Sequence, residues 1–391
     1  MTKVQYLIIG GGMAADSAVR GIRALDEAGT IGLVSRESAP PYDRPPLTKG
    51  LWQGKDEDDI WRGTEELGVE MHLRRTATHL DPDERTVTDD ADETYHYEKL
   101  LLATGGSPRK LPFGGDQVMY YRTYQDFKRL QRVAKEKMDF VIIGGGFIGA
   151  ELTAALTMQG KHVSMVFPSA TIGASRFPDH LGQFLNDHYL GQGVSLHTGE
   201  TVVGVGSKGG RSLVTTDRGS EIEADAIVAG IGITPNTDLA KGAGLQVDNG
   251  IVVDSSLQTS HPDIFAAGDV AAFQYPSLDM RLRVEHEDSA NKMGEMAGRS
   301  MAGERVEYDY LPYFYSDLFE YGYEAIGLMH KDMDHVEDWV KPNEQGVVYF
   351  LREQRLYGVL LWNTWGKLDE ARDLISAGGP YLPEDLIGRI R

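Results

Sequence analysis

VQYLIIGGGMAA, residues 4–15, is the stretch that decides the fold. Its first six residues are typical of a buried parallel strand, and the pattern G-x-G-x-x-A follows directly. Glycines there permit a tight turn and a close approach of backbone to a pyrophosphate, which the N-terminus of the following helix then faces. A second strand is predicted at residues 31–34, and Glu37 follows it at a distance that suits a ribose hydroxyl. The stretch therefore predicts a dinucleotide site.

The same pattern occurs a second time. A strand is predicted at residues 139–143, GGGFIG follows at 144–149, a helix is predicted over 151–158, and the next strand over 162–167. Two such units are far more specific than one. One dinucleotide per loop indicates an enzyme with two cofactors, and the chemistry that needs both is reduction of a flavin by a nicotinamide. The expected cofactors are FAD and, as co-substrate, NADH or NADPH.

The second unit lacks the acidic residue that normally follows its second strand. Ser169 stands there, with Arg176 nearby. An acid would favour NADH by binding the ribose 2′-hydroxyl, whereas an arginine can accept the 2′-phosphate of NADPH. The choice between NADH and NADPH stays open at this point.

Composition limits the partners. The 391 residues carry a net charge of -20 and contain no cysteine. Such a charge repels nucleic acid and anionic lipid, so neither is expected as a partner. The sequence shows no apolar run near the roughly 20 residues that span a membrane, and no signal peptide is evident, so a cytoplasmic location is expected. Without cysteine, thiolate metal sites and disulfide chemistry are excluded, and no metal is expected.

Further motifs extend the pattern over the whole chain: PYDRPPLTK at 41–49, LLATGG at 101–106, GIGITPN at 230–236, IFAAGD at 264–269, RVEH at 283–286 and YFYS at 313–316. In this order they resemble the ferredoxin-reductase-like flavoproteins, a group that includes rubredoxin and ferredoxin reductases, monodehydroascorbate reductase and apoptosis-inducing factor. The resemblance implies an α/β fold with two Rossmann-like three-layer dinucleotide-binding domains of the glutathione-reductase type and a small α+β C-terminal domain. The expected segments are 1–115 and 237–305 for FAD, 116–236 for NAD(P)H and 306–391 for a C-terminal interface domain.

The resemblance also assigns residues to the site. Lys49 is expected near flavin N5, paired with Glu151, while Arg44 suits the FAD pyrophosphate because its planar guanidinium binds phosphate in two places. The expected catalytic residues are Lys49, Glu151, Glu285, His286 and Tyr315. The expected cofactor-binding residues are Gly10, Gly12, Met13, Ala14, Ala15, Glu37, Arg44, Lys49, Ala77, Ala103, Thr104, Gly105, Arg122, Gly144, Gly146, Phe147, Ile148, Gly149, Glu151, Ser169, Arg176, Gly232, Gly268, Asp269, Glu285, His286, Tyr315 and Glu324.

The missing cysteines bear on the electron acceptor. Relatives that relay electrons through a cysteine pair or a single cysteine are excluded, so electrons from NAD(P)H should pass to flavin N5 and then directly to an external acceptor. A ferredoxin- or rubredoxin-type protein is the first hypothesis, although a net charge of -20 disfavours an acidic ferredoxin. A small molecule is the alternative: a quinone, O2 or a monodehydroascorbate-like radical, the last disfavoured because Asn291 replaces that branch's substrate-binding arginine.

A second hypothesis comes from a different class: a redox-gated interaction protein like apoptosis-inducing factor. The enzyme is expected to be a monomer or a homodimer.

In the C-terminal segment an antiparallel hairpin is predicted at residues 347–351 and 356–361. Helices are predicted at 368–377 and 385–390.

Overall fold

The computed structural model describes residues 2–390, which fold into two compact units. Unit 1 contains the residues up to Arg44, Asp56–Ser107 and Thr234–Pro312. Unit 2 contains Pro45–Lys55, Pro108–Ile233 and the chain from Tyr313 onward. The domain bounds expected from the sequence, four segments in three domains, stay a prediction, because the two units divide the chain differently.

In residues 2–390 the strands, in chain order, are β1 (Thr2–Ile9), β2 (Ile31–Ser35), β3 (Val69–Leu73), β4 (Ala77–Asp81), β5 (Thr86–Asp89), β6 (Thr94–Leu102), β7 (Gly106–Pro108), β8 (Val118–Tyr120), β9 (Asp139–Ile143), β10 (His162–Phe167), β11 (Ser195–Thr198), β12 (Val202–Lys208), β13 (Arg211–Thr216), β14 (Glu221–Ala224), β15 (Ala226–Ala229), β16 (Ile233–Pro235), β17 (Ile251–Val253), β18 (Ile264–Ala266), β19 (Ala271–Tyr275), β20 (Met280–Arg283), β21 (Tyr313–Leu318), β22 (Tyr321–Gly327), β23 (Asp334–Lys341), β24 (Gln345–Arg352) and β25 (Arg355–Trp362).

The α-helices in the same part of the chain are α1 (Met13–Arg23), α2 (Tyr124–Glu136), α3 (Phe147–Met158), α4 (Asp179–Gly191), α5 (Asp238–Gly242), α6 (Glu287–Met301), α7 (Leu368–Ala377) and α8 (Pro383–Leu386). Short 3-10 helices cover Pro45–Thr48, Gly50–Gln53, Glu57–Ile60, Thr64–Leu67, Gly115–Gln117 and Gly268–Val270.

The main sheet of unit 1 has a parallel centre. Its strands follow the order β3-β2-β1-β6, with β18 also pairing parallel to β6, and β5 and β4 continue the sheet antiparallel. The inner strands are apolar runs because both of their faces are covered. Helices α1 and α6 pack so closely that their backbones touch: a Cβ at Gly298 would lie 2.1 Å from the carbonyl oxygen of Ala18. This arrangement is the first predicted dinucleotide-binding fold.

One carboxylate is buried inside unit 1. Asp16, on α1, is fully buried and accepts hydrogen bonds from Arg20, Arg62 and Thr64 at 2.7 to 2.9 Å. Burial alone would raise the pKa of Asp16, but the hydrogen bonds from these three residues hold it below the ordinary value. The carboxylate therefore stays charged and ties α1 to the loop that contains residues 62–64.

Unit 2 contains a second parallel sheet and two antiparallel sheets. The parallel sheet has the order β11-β10-β9-β15-β8, and β12, β13 and β14 form a separate three-stranded meander. The C-terminal sheet has the order β21-β22-β25-β24-β23 and is antiparallel throughout. The predicted fold class, with two Rossmann-like parts and a smaller α+β part, is confirmed.

Most of the predicted elements match the structure, with one error near the C-terminus. The predicted strands at 139–143 and 162–167, the hairpin and the helix at 368–377 are all present. The predicted helix at 385–390 is wrong, because the helix there is α8 and it ends at Leu386. Ile387 is extended and Gly388 has a φ of +77°, which a continuing helix cannot accommodate.

Candidate functional site

The first glycine loop lies between β1 and α1 in unit 1. Gly10 has a φ of +133°, and a Cβ there would lie 2.1 Å from the carbonyl oxygen of Ala103, so only glycine fits. Gly12 is the N-cap of α1, whose helical residues begin with Met13, Ala14 and Ala15, and no side chain among the described residues caps this end. Backbone N–H groups at an uncapped helix N-terminus are suited to phosphate oxygens.

A cation and an anion stand beside this loop. A Cβ at Gly12 would lie 3.6 Å from Nη2 of Arg44, so the guanidinium is next to the helix N-terminus. Arg44 donates to Oε1 of Glu37 at 2.5 Å, and the hydroxyl of Tyr42 donates to Oε2 at 2.7 Å. A guanidinium is suited to phosphate oxygens and a carboxylate to ribose hydroxyls, so the arrangement contains the groups that a bound dinucleotide requires.

The segment at Gly268 and Asp269 approaches the same helix end. Gly268 has a φ of +75°, and a Cβ there would lie 2.9 Å from the Cβ of Ala14. Arg283 donates to the backbone oxygen of Asp269 at 3.0 Å and pairs with Glu285 at 2.7 Å. The structure thus brings Asp269 to the glycine loop and connects it through Arg283 to Glu285.

The other predicted residues of unit 1 lie on neighbouring segments. Thr104 donates to the backbone oxygen of Asn236 at 2.7 Å, and the N–H of Asn236 donates to the oxygen of Gly105 at 2.9 Å. His286 is the N-cap of α6, directly after Glu285. Ala77 is the first residue of β4, where it pairs with Asp89 of β5.

The residues of unit 1 therefore fit the FAD that the motifs imply. The uncapped N-terminus of α1 and the guanidinium beside it suit a pyrophosphate. The carboxylate after the second strand suits a ribose.

The second glycine loop lies between β9 and α3 in unit 2. A Cβ at Gly144, whose φ is +120°, would lie 2.4 Å from the oxygen of Gly230, and one at Gly149 would lie 1.9 Å from the oxygen of Gly144. Gly146, the N-cap of α3, is different: no heavy atom of the described residues would lie within 4 Å of its Cβ. Open space beside an uncapped helix N-terminus is what a second dinucleotide needs.

A cleft borders this loop. Arg176 lies over the ring of Phe147, with its Cζ 4.3 Å from the ring centroid, and Phe147 meets Phe314 edge-on at 5.3 Å. Ile148 follows on α3. The cleft is lined by Gly145, Gly146, Phe147, Ala150, Ile172, Gly173, Arg176, Phe177, Ser316, Leu318 and Tyr323. Ser169 lies after β10, and its hydroxyl donates to the backbone oxygen of Thr171 at 3.0 Å.

Lys49 and Glu151 form an ion pair in unit 2. Nζ of Lys49 lies 2.5 Å from Oε1 of Glu151, and their side chains are only 11% and 4% exposed. Two hydroxyls complete the shell of the carboxylate: Ser316 donates to Oε1 at 2.7 Å and Thr48 to Oε2 at 2.5 Å. Nζ of Lys49 also lies 5.1 Å from the ring centroid of Tyr315. The motif from 41–49, helix α3 and strand β21 thus place three predicted catalytic residues in one cluster.

Two more predicted residues, Arg122 and Glu324, lie on segments that contact this cluster. The hydroxyl of Tyr121, beside Arg122, donates to the backbone oxygen of Leu47 at 2.5 Å, which joins that segment to the loop that carries Lys49. Glu324 is the cross-strand partner of Tyr315. Burial raises the pKa of Glu324, although the N–H of Gly366 opposes this by donating to its carboxylate.

Gly232 follows the segment that packs on Gly144. Its φ is +92°, and its carbonyl oxygen accepts from the N–H of Arg109 at 2.9 Å. Arg109, Thr48 and Ser316 are contacts that sequence reasoning did not assign. Thr48 and Ser316 stand inside the quoted motifs PYDRPPLTK and YFYS, next to Lys49 and Tyr315, so their positions carried a usable signal.

Residues 2–390 lack two other kinds of feature. They contain no cluster of three or more histidine, aspartate and glutamate side chains that could hold a metal ion. They also contain no helix with the length and apolar character needed to cross a membrane.

Known proteins resemble the chain over nearly its whole length. Residues 4–294 match the pyridine nucleotide-disulphide oxidoreductase family. Apoptosis-inducing factor 1, mitochondrial, of Dictyostelium discoideum is 37% identical over 95% of this chain and 78% of its own length. Monodehydroascorbate reductase 4, cytosolic, of Oryza sativa subsp. japonica is 35% identical over 82% of this chain and 81% of its own.

A solved structure gives the same result. Putidaredoxin reductase, in its covalent complex with putidaredoxin, has a TM-score of 0.91 and 27% identity, covering 99% of this chain and 96% of that one. The chain therefore belongs to the pyridine nucleotide-disulphide oxidoreductase family, as an FAD-dependent oxidoreductase of NAD(P)H.

Proposed function

We propose that this enzyme passes electrons from NAD(P)H through FAD directly to a small electron-transfer protein of the ferredoxin type. The observation that carries the proposal is the buried pair of Lys49 and Glu151 beneath Tyr315, in a chain without cysteine. Disulphide-reducing enzymes pass electrons through a pair of cysteine thiols. This sequence contains no cysteine, so that relay is excluded.

Unit 1 holds the cofactor. The amides at the start of α1 and the guanidinium of Arg44 bind the pyrophosphate, Glu37 binds the adenosine ribose, and Asp269 accepts from the ribityl chain. FAD, when bound, takes hydride from NAD(P)H and releases electrons to the acceptor. The other predicted residues of the glycine loop and its neighbouring segments contribute backbone contacts and close packing, and Ala77 keeps the role that the resemblance implies.

By the family resemblance, Lys49 is assigned a positive charge for the reacting end of the flavin. Nearly buried charges interact strongly, so an ammonium there stabilises the electron-rich form of a neighbouring ring. Glu151 fixes the position of that ammonium, and Thr48 and Ser316 fix Glu151. Tyr315 covers the ammonium and provides a flat surface for an aromatic ring.

Glu285, His286 and Glu324 keep the roles that the family resemblance implies, at the nicotinamide and flavin. Arg122 keeps the position beside FAD that the resemblance implies, and its neighbour Tyr121 is hydrogen-bonded to the loop that carries Lys49. NAD(P)H uses the second glycine loop, with Phe147 and Arg176 beside it and Gly232 at the nicotinamide end.

The type of acceptor is proposed from the proteins that this chain resembles. One solved structure with the same fold is a complex of putidaredoxin reductase with putidaredoxin. Because the net charge is -20, an acidic acceptor would have to dock on a locally basic or uncharged part of the surface.

The test is a stopped-flow experiment on the protein loaded with FAD. NADH and NADPH are first mixed with it under anaerobic conditions, and loss of the visible flavin absorbance is followed. An acceptor panel of ferredoxin, rubredoxin, a quinone, a monodehydroascorbate-like radical and O2 is then offered. Fast turnover with an iron–sulfur or rubredoxin-type protein supports the proposal, whereas fast turnover with small molecules alone contradicts it.

A redox-gated interaction protein is the second candidate, because the Dictyostelium relative is an apoptosis-inducing factor. It would be favoured if the flavin absorbance returned only slowly in air and no acceptor shortened the delay. The oligomeric state, monomer or homodimer, stays a prediction that light scattering tests. The cytoplasmic location stays a prediction that cell fractionation tests.

A further inference from the structure

The end of the second strand in unit 1 is marked by two backbone hydrogen bonds. The N–H of Arg75 donates to the oxygen of Ser35 at 2.9 Å, and the N–H of Arg74 donates to the oxygen of Glu37 at 3.1 Å. The position of Glu37 can therefore be defined by a hydrogen bond. Its backbone carbonyl oxygen accepts from an N–H of the segment that follows β3.

The end of the second strand in the NAD(P)H-binding part repeats this pattern. The N–H of Glu200 donates to the oxygen of Phe167 at 3.2 Å, and the N–H of Gly199 donates to the oxygen of Ser169 at 2.9 Å. By hydrogen-bond pattern, Ser169 is the counterpart of Glu37. A neutral hydroxyl thus stands where the other unit has its ribose-binding carboxylate.

A cation lies beside Gly199, the residue whose N–H donates to the oxygen of Ser169. A Cβ at Gly199 would lie only 2.8 Å from Nη2 of Arg218, so the guanidinium occupies the space that a side chain at 199 would fill. Arg218 belongs to the turn after β13, in which the N–H of Gly219 donates to the oxygen of Thr216 at 3.0 Å, and its side chain is exposed. An exposed guanidinium next to the ribose position is well placed for a phosphate.

The neighbouring carboxylate does not take the place of the missing acid. Glu200 is 14% exposed and accepts a hydrogen bond from the hydroxyl of Thr216 at 2.6 Å. Hydrogen bonds from Thr216 and Ser220 lower the pKa of Glu200, and His197 and Arg218 act in the same direction. The acid is thus held by the meander rather than presented at Ser169.

Arg176, the other arginine of this region, belongs to a different part of the cofactor. It stacks on Phe147 at the start of α3, beside the glycine loop, where the pyrophosphate is expected. Arg176 is thus positioned for the pyrophosphate, which leaves Arg218 as the arginine available for the adenosine end of the cofactor.

We propose that Arg218 binds the 2′-phosphate of NADPH, and that the enzyme for this reason prefers NADPH to NADH. The inference rests on the proposed function, because it names the substrate of the second glycine loop. The planar guanidinium pairs with a phosphate dianion, while Ser169 removes the repulsion that an acid would exert.

The test compares Arg218→Ala with a control, Lys208→Ala. Lys208 is an exposed cation at the opposite end of the β12–β13 hairpin, where it pairs with Glu221 and Glu223. In Arg218→Ala, kcat/KM for NADPH should fall about 10- to 100-fold, as expected for loss of one charge-assisted hydrogen-bonded contact, with NADH unchanged. Lys208→Ala should leave both values unchanged.

A binding measurement separates this inference from the proposed function. Adenosine 2′,5′-bisphosphate and 5′-AMP are titrated into the wild-type and Arg218→Ala proteins by calorimetry. Tighter binding of the bisphosphate, lost in Arg218→Ala, supports the inference even if no acceptor is ever reduced. Equal binding of both probes to the wild-type protein, or equal losses for NADPH and NADH in Arg218→Ala, would overturn it while leaving the proposed function standing.

A second variant works in the opposite direction. Ser169→Glu restores a carboxylate at the position that Glu37 occupies in unit 1. It should lower kcat/KM for NADPH at least as much as Arg218→Ala does and raise the value for NADH. An unchanged ratio of NADPH to NADH would count against the proposed position of the 2′-phosphate.

Discussion

Replacing Glu151 with leucine should be among the most damaging single changes in unit 2. The ammonium of Lys49 would stay in place with its side chain only 11% exposed, but its counter-charge at 2.5 Å would be gone. The hydroxyls of Thr48 and Ser316 would lose their shared acceptor as well.

The magnitude follows from these contacts. Removing one partner of a buried ion pair costs about 3–5 kcal/mol, because the remaining charge is left without compensation. Glu151→Gln should cost less, about 1.5–3 kcal/mol, since the amide oxygen still accepts while the charge is lost. The double variant Lys49→Met/Glu151→Leu should be more stable than Glu151→Leu alone, because no buried charge is left unpaired.

Urea denaturation followed by circular dichroism measures these differences in the free energy of unfolding. The three variants are compared with the wild-type protein in the same buffer, at a saturating concentration of FAD. If Glu151→Leu lost less than about 1 kcal/mol, the range for an exposed ion pair, the pair would not be buried as described. If the double variant were less stable than Glu151→Leu, the unpaired charge would not be the cause.

Three further results are expected. The pKa of Asp16 is depressed in the folded state, so its stabilisation is complete above the ordinary value of 3.8 and is lost as pH falls through the folded pKa. The stability gap between wild type and Asp16→Asn in urea should therefore be wide at neutral pH and close in acid; a gap independent of pH would contradict this. Gly149→Ala should lower stability by about 1–3 kcal/mol, because its Cβ would lie 1.9 Å from a carbonyl oxygen. Gly146→Ala meets only open space, so its urea midpoint should stay unchanged while KM for NAD(P)H rises, and a lower midpoint would refute the reasoning.

Local sequence patterns account for the parts of the fold that were predicted well. The strands at Asp139–Ile143 and His162–Phe167 match their predicted bounds because apolar runs end at glycine or proline, which are visible in the sequence. The helix predicted at 385–390 was wrong for a related reason. Apolar spacing continued past Leu386, but Gly388 takes a left-handed conformation that the spacing did not reveal.

Contacts between distant segments could not be derived in the same way. Thr48 and Ser316 stand 103 and 165 residues from Glu151, and only the packing of α3 against the other segments brings the three together. The resemblance supplied the pair of Lys49 and Glu151, but not the hydroxyls that hold the carboxylate. The sequence did not point to Arg218, because its turn carries no motif and its relation to Ser169 depends on two contacts of Gly199, a backbone hydrogen bond to Ser169 and the close approach of the Arg218 guanidinium.

The central claim is that electrons leave the flavin directly for a protein acceptor. It is tested most directly by anaerobic stopped-flow mixing of the FAD-loaded enzyme first with NADPH and then with an oxidised ferredoxin-type protein. Flavin absorbance should be lost completely in the first step and should return rapidly in the second step as the ferredoxin spectrum bleaches. Flavin absorbance that NAD(P)H does not bleach, or bleached enzyme that no protein acceptor reoxidises faster than air does, would contradict it.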